Sequence, residues 1–177
     1  MDFKEKKILE ILDLALRDHQ IKERIDTIVE HVDHVLKNDQ NAIMAWEPIP
    51  LDLYQQQLPD EIKSSWVFIL RKNVTTGAER HPNSIQRMMS YKGRGDFQTK
   101  PNLKWNSNFL ENNAEVEIEK RWISIPQNIW HQGIVGDENW VVVSFHTVEA
   151  SSLIEERLEA GSENKLIRKK YIDSVTE

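Results

Sequence analysis

The sequence predicts a mainly β domain, a sandwich or barrel of short strands, placed behind an N-terminal helical segment. Three observations carry that expectation. Apolar residues before position 37 recur at helical spacing, the stretch after Asn38 loses that period around a cluster of prolines, and from Trp66 onward short β-branched and aromatic runs alternate with turn residues. With 177 residues the chain has room for one core and little more.

In the first segment Ile8, Leu9, Leu12 and Leu16, then Ile21, Ile25, Ile28, Val29, Val32 and Leu36, fall three or four positions apart. That spacing places them on one helical face, in one or two amphipathic helices with a break near "RDHQ". His31 and His34 lie about one turn apart there, with Glu30 beside them, and the pattern reads as a solvated helix face. "WEPIPLDLYQQQLP" has three prolines and no period, so it is expected to be an arm wrapping the domain.

The strand-like runs are "WVFILRKNV", "GAERHPN", "IQRMMSYKG", "GDFQT", "AEVEIE", "RWISIP" and "WVVVSFHTV". So many short strands at close spacing indicate a closed or layered β architecture. Apolar parity flips between Val116/Ile118 and Ile123/Ile125, which requires a turn or bulge near Glu119 to Arg121. The Asn-rich residues 100–113 read as a long loop. Ser152 and Glu155 have capping-box spacing, so a short C-terminal helix is expected, stopped by Gly161. The domain plan is therefore a helical extension over 1–45, a β-barrel over 46–150, and a C-terminal helix and tail over 151–177.

Composition removes several function classes. There are 29 acidic against 23 basic residues, a net charge of −6, and no basic block suited to a phosphate backbone, so nucleic acid is not expected as a partner. Apolar runs such as "WVVVSF" fall far short of a membrane span, and the chain opens on charged "MDFKEKK", which together predict a soluble, cytoplasmic protein. The sequence has no cysteine, so a metal could be held only through nitrogen and oxygen.

The stretch that invites such a reading is "GAERHPNSIQRMMSYKGRG". On a strand, Glu79 and His81 point to one side and Arg80 to the other, so the carboxylate and the imidazole can share an ion. Pro82, Asn83 and Ser84 are turn formers, and the returning strand would bring Gln86 alongside. Far along the chain "PQNIWHQ" sets His131 after another proline-led turn.

These residues resemble the two motifs of the cupin family, over roughly residues 66–148. In the first motif, G-x5-H-x-H-x3,4-E-x6-G, Glu79 stands at the first His, His81 at the second, Gln86 at the Glu and Gly93 at the closing Gly. In the second, G-x5-P-x-G-x2-H-x3-N, Pro126 and His131 match, while Lys120, Asn128 and Val135 replace the two glycines and the Asn. Asn tolerates positive φ, so Asn128 can keep a tight turn. A rival register puts His81 and Asn83 at the two His positions, Met88 at the Glu and Gly95 at the end, and a methionine there would spoil a hard-metal site.

The resemblance implies a double-stranded β-helix, or jelly-roll, barrel holding a divalent ion (Fe, Mn, Ni or Zn) on Glu79, His81, Gln86 and His131. Two imidazoles and a carboxylate are the ligand set of non-haem Fe(II) oxygenases, and the implied activity is a dioxygenase acting on a small molecule. An isomerase, a hydrolase or a non-catalytic ligand-binding module fits the same frame, as does a metal-free polar pocket in which Glu79 and Gln86 bond a ligand or each other. Trp130 and His146 are candidate pocket residues, and Arg80 and Arg87 should point out of the barrel by parity. Six tryptophans, at 46, 66, 105, 122, 130 and 140, suit a barrel core and subunit contacts, and a homodimer that covers a sheet edge is expected.

Overall fold

The computed structural model describes residues 2–158 and 165–172. Two helices come first, α1 over Phe3–Arg17 and α2 over His19–Asn38. Asp2 caps α1 by accepting from the Glu5 amide at 2.8 Å. The expected break is one residue wide. Asp18, with ψ at 129°, leaves the helical region, and its carboxylate then accepts from the Gln20 and Ile21 amides to start α2. Ile8, Leu9, Leu12 and Leu16 of α1 and Ile21, Ile25, Val29, Val32 and Leu36 of α2 are buried, as their spacing predicts.

Among the described residues eleven strands follow: β1 (Met44–Pro48), β2 (Ser64–Leu70), β3 (Glu79–Arg80), β4 (Gln86–Lys92), β5 (Arg94–Lys100), β6 (Phe109–Glu111), β7 (Trp122–Ile125), β8 (Trp130–Val135), β9 (Trp140–His146), β10 (Ile154–Leu158) and β11 (Leu166–Lys170). They form two antiparallel sheets, one ordered β1-β2-β9-β4-β7 and the other β11-β10-β3-β8-β5-β6. The five-stranded sheet is covered on both faces. Val67, Ile69, Met89, Val141, Val143 and Phe145 pack against the helices, while Trp66, Phe68, Leu70, Met88, Trp140 and Val142 face the second sheet. Burial on both faces is why "SSWVFIL" and "WVVVSFH" are buried along their whole length.

Charged residues fix the helices to the sheet. Arg87, expected to point out of the barrel, does so and lies 1% exposed beneath α1, donating to both carboxylate oxygens of Glu5 at 2.6 and 2.9 Å and to Glu61 at 2.5 Å. Buried Asp13 of α1 accepts from Arg121, from the Trp122 indole at 2.9 Å and from Arg17 at 2.8 Å. Tyr54 adds a hydroxyl contact of 2.8 Å to Ser65. No helix among the described residues is long and apolar enough to cross a membrane.

Three expectations change. Among the described residues no C-terminal α-helix forms: after a short 3₁₀ turn at Ala150–Ser152, Ile154–Leu158 is a strand that pairs with β3 and β11. The Ser152–Glu155 spacing therefore caps nothing, because pairing across two strands outweighs a local helical signal; Gly161 lies outside the described residues. "AEVEIE" is likewise not a strand. Its alternation finds no partner, and the parity flip is made by a 3₁₀ turn at Ile118–Lys120. The long loop is shortened, since Phe109–Glu111 pairs with β5.

Candidate metal centre

Strand pairing assembles the site. In the six-stranded sheet β3 lies between β10 and β8, so that Arg157, Glu79 and His131 stand in one cross-strand row, with Thr99 of β5 beyond them. Residues opposite one another in a ladder share a face, so all of these side chains look into the space between the sheets. His81 follows two residues after Glu79 and returns to the same side. On the facing sheet, Gln86 of β4 is the register partner of His146 of β9. Two cross-strand pairs, Glu79/His131 and Gln86/His146, thus confront each other with His81 between.

Turn chemistry holds this arrangement. Asn128 has φ at +64°, the conformation expected of it, and its amide donates to the His81 carbonyl at 3.0 Å, tying the two motif turns together. Gly93 has φ at +82° in the β4–β5 turn, whereas Gly95 is pressed on the Trp140 ring, where a Cβ would come within 2.2 Å. Gly93 is therefore the turn glycine. Met88 packs in the core, and the Asn83 amide donates to the Ser152 carbonyl at 2.7 Å, so the rival register has no geometric support.

Both nearby imidazoles are oriented by backbone carbonyls. His81 Nδ1 lies 2.9 Å from the Ile154 carbonyl and His131 Nδ1 lies 2.9 Å from the Ile129 carbonyl. A carbonyl only accepts, so each ring carries its proton on Nδ1 and presents a lone pair at Nε2. Both Nε2 atoms are buried without a hydrogen-bond partner, as are His146 Nε2 and Gln86 Oε1. Ligating atoms of Glu79, His81 and His131 all lie within 4.8 Å of one another. Ligands about 2.1 Å from a shared ion sit at most about 4.2 Å apart, so closure needs only a small inward shift. The donor set, two neutral imidazoles and a carboxylate held by outer hydrogen bonds, fits a divalent first-row ion.

Electrostatics favour an ionised Glu79 and a neutral His81. Burial alone would raise the Glu79 carboxyl, but the His131 contact and the Arg157 charge hold the group down at about 2. His81 is pushed down to about 4, first by burial and then by the neighbouring His131. His146 is also lowered well below the usual imidazole range, chiefly by burial. The Glu79 carboxylate divides its oxygens. Oε1 lies 3.5 Å from His131 Nε2, and Oε2 accepts from Arg157.

Of the residues expected at the site, Glu79, His81 and His131 converge as described, Gln86 lines the same internal cavity as Glu79, and His146 is fully buried with its ring centroid 5.1 Å from that of His81. Trp130 does not join them. It alternates outward from His131, and the Arg80 guanidinium stacks on its ring at 4.8 Å. His31 and His34 hold no common ligand position, since they bond Glu47 and Asn38 separately.

Three residues were missed. Arg157, Glu155 and Tyr171 all come from the C-terminal hairpin. Arg157 bridges Glu79 and Glu155, and Tyr171 packs on His81 at 5.7 Å and on Trp66 at 5.3 Å between ring centroids. The signal was the alternation of Glu155 and Arg157 in "IEERL", which shares its residues with a helical spacing.

No protein-family model and no curated protein matches the sequence. Solved structures do match in fold. An 11S globulin from Wrightia tinctoria with an auxin binding site superposes at a TM-score of 0.50 and 13% identity over 66% of this chain, which spans 27% of that one. An oxalate oxidase in complex with the substrate analogue glycolate gives 0.47 and 15% over 62% of this chain and 54% of the other. KdgF from Halomonas sp. gives 0.44 and 8% over 63% of this chain and 86% of its own. At such identities the likeness concerns the fold alone, and folds host unrelated activities. The chain has the cupin fold, a double-stranded β-helix built here of two facing antiparallel sheets.

Proposed function

We propose that this chain is a metal-dependent enzyme acting on a small molecule, a dioxygenase of the Fe(II) type, in which Glu79, His81 and His131 hold the ion and Gln86 stands beside it. One observation carries the reading: the unpartnered, buried Nε2 atoms of His81 and His131 face a carboxylate with which they form a group spanning less than 4.8 Å. Lone pairs left unsatisfied in a dry interior are costly unless something binds them. Such an ion supplies Lewis acidity and open positions for a substrate or dioxygen. The chain's own residues set the geometry. The Ile129 and Ile154 carbonyls fix the imidazole tautomers, Arg157 turns Glu79 so that one oxygen faces His131, and Phe97 stacks on the His131 ring at 5.7 Å. An isomerase or hydrolase would use the same residues, with the ion polarising a substrate oxygen.

A second reading rests on Arg157. Because Arg157 already neutralises Glu79, the pocket can also serve as a binding module without catalysis. Cobalt titration of the full chain separates the two. A visible d–d spectrum saturating at one equivalent and absent from His81→Ala and His131→Ala is expected. A chain that takes up no cobalt and carries no first-row metal by elemental analysis overturns the enzyme reading. Oxygen consumption by the iron-loaded protein then divides dioxygenase from isomerase or hydrolase.

A further inference from the structure

The cavity lined by Glu79 and Gln86 has a volume of only about 20 Å³, room for a water molecule and not for an organic substrate. A second cavity, of about 340 Å³, lies at the C-terminal hairpin and shares Met44, Thr76 and Tyr171 with the first. Tyr171, 5% exposed, is therefore the partition between an outer cup and the three histidines. The cup falls in the size range of small-molecule sites. It is reached from solvent past Ile43, Leu158 and Ile167, all partly exposed apolar residues on its lining.

The cup has two chemically distinct sides. Ile43, Trp46, Leu158 and Ile167 form an apolar wall. Beside it stand Glu155, Arg157 and Lys169, placed together by the β10–β11 register, in which Glu155 pairs with Lys169 and Arg157 pairs with Ile167. With Glu79 joined to this row through Arg157, two carboxylates meet two cations and the corner is neutral. On the proposed reading a divalent ion at Glu79 leaves it with a surplus of positive charge, which an anion would neutralise.

We propose that this cup, across Tyr171 from Glu79 and the histidines, is the docking site of a small carboxylate with an apolar body, its carboxylate directed to Arg157 and its body laid against Trp46 and Ile167. The inference rests on the metal reading, so the experiment reports on each separately. Cobalt-loaded full-length protein is titrated calorimetrically with phenylacetate and with 2-phenylethanol, which has a similar body and no charge. Phenylacetate is expected to bind saturably and at least about tenfold more tightly than the alcohol. Ile167→Asp places a negative charge in the cup beside Arg157, on a residue outside the group of Glu79, His81 and His131. It is expected to weaken phenylacetate binding by about tenfold or more while the cobalt spectrum stays unchanged. Ile43→Asp, on the opposite lip, provides the same test on an element that does not pair with β10 and must show the same loss. Absence of phenylacetate binding, equal affinity for acid and alcohol, or indifference to both aspartates in a cobalt-loaded protein overturns the cup assignment alone. Failure of the wild-type chain to take up cobalt overturns the metal reading instead.

Discussion

Two buried polar clusters lie on opposite faces of the five-stranded sheet, and they differ in what they leave unsatisfied. Under the helices, Arg87 meets Glu5 and Glu61 and Arg121 meets Asp13; the buried atoms left over are donors, Arg87 Nη1 and Arg121 Nε. Between the sheets one leftover atom is also a donor, Trp66 Nε1, but those nearest Glu79 include the lone pairs of His81 Nε2, His131 Nε2 and Gln86 Oε1. A cation can satisfy lone pairs and cannot satisfy N–H groups. The first cluster is thus a fastening between helix and sheet, and the second is built to receive something.

Breaking the fastening should have the largest effect. Asp13→Ala leaves Arg121, 5% exposed, without its carboxylate, and removal of one partner of a buried pair costs about 3–5 kcal/mol. Denaturant unfolding should show that loss while the cobalt spectrum of the folded fraction is unaltered. A spectrum lost together with the helix contact would show that the two clusters are one functional unit, against the distinction drawn above.

Acid should separate the clusters along the pH axis. An unfolded imidazole titrates near 6.5 and folded His81 at about 4, so between those values the unfolded state binds more protons. Stability of the metal-free protein is therefore intact above 6.5 and falls with pH down to about 4, by roughly 3 kcal/mol from His81 alone, and His146 acts in the same direction. Glu5, whose carboxyl is lowered because the Arg87 bonds outweigh burial, and Glu79, at about 2, contribute stability above 4.5 that is lost only at more acid pH. Chelator-treated protein unfolded in guanidinium at pH 7 and pH 5 should differ markedly, and His81→Gln should reduce the difference. An equal pH 5 loss in that variant would remove His81 from the account.

Metal linkage sharpens the contrast from the other side. Zinc at a hundredfold excess over its dissociation constant should stabilise the wild type by about 2.7 kcal/mol and His81→Ala by nothing, read as the shift of a thermal melt. Arg87→Met, which weakens the fastening without touching the pocket, should retain the full zinc increment. If it does not, the sheet transmits strain between its two faces.

The helices, the one-residue break between them and most strands could be read from periodicity, because each of those signals is local and its partner face is apolar. Glu79, His81 and His131 could be placed together because alternation fixes which way a strand residue looks. Arg157 could not. Its role depends on β10 pairing with β3, a strand of two residues whose partner is 78 positions away, and the same "SSLIEERL" satisfies helical spacing equally well. Trp130 failed for the opposite reason. Adjacency to His131 in sequence suggested adjacency in space, whereas a strand sends neighbours to opposite faces.

The smallest expected effect belongs to Asp18, a half-buried residue that ends α1 and caps α2 through the Gln20 and Ile21 amides at 3.0 and 3.1 Å. Its bond to Gln20 is made at the surface, where water replaces a lost acceptor, so Asp18→Ala should cost only about 1 kcal/mol in denaturant unfolding. Cobalt affinity should be unchanged, since neither helix supplies a residue to the group around Glu79. A loss several times larger would mean that the α1–α2 angle governs how Asp13 and Glu5 reach the sheet, and would make the turn at Asp18 part of the fastening rather than a local cap.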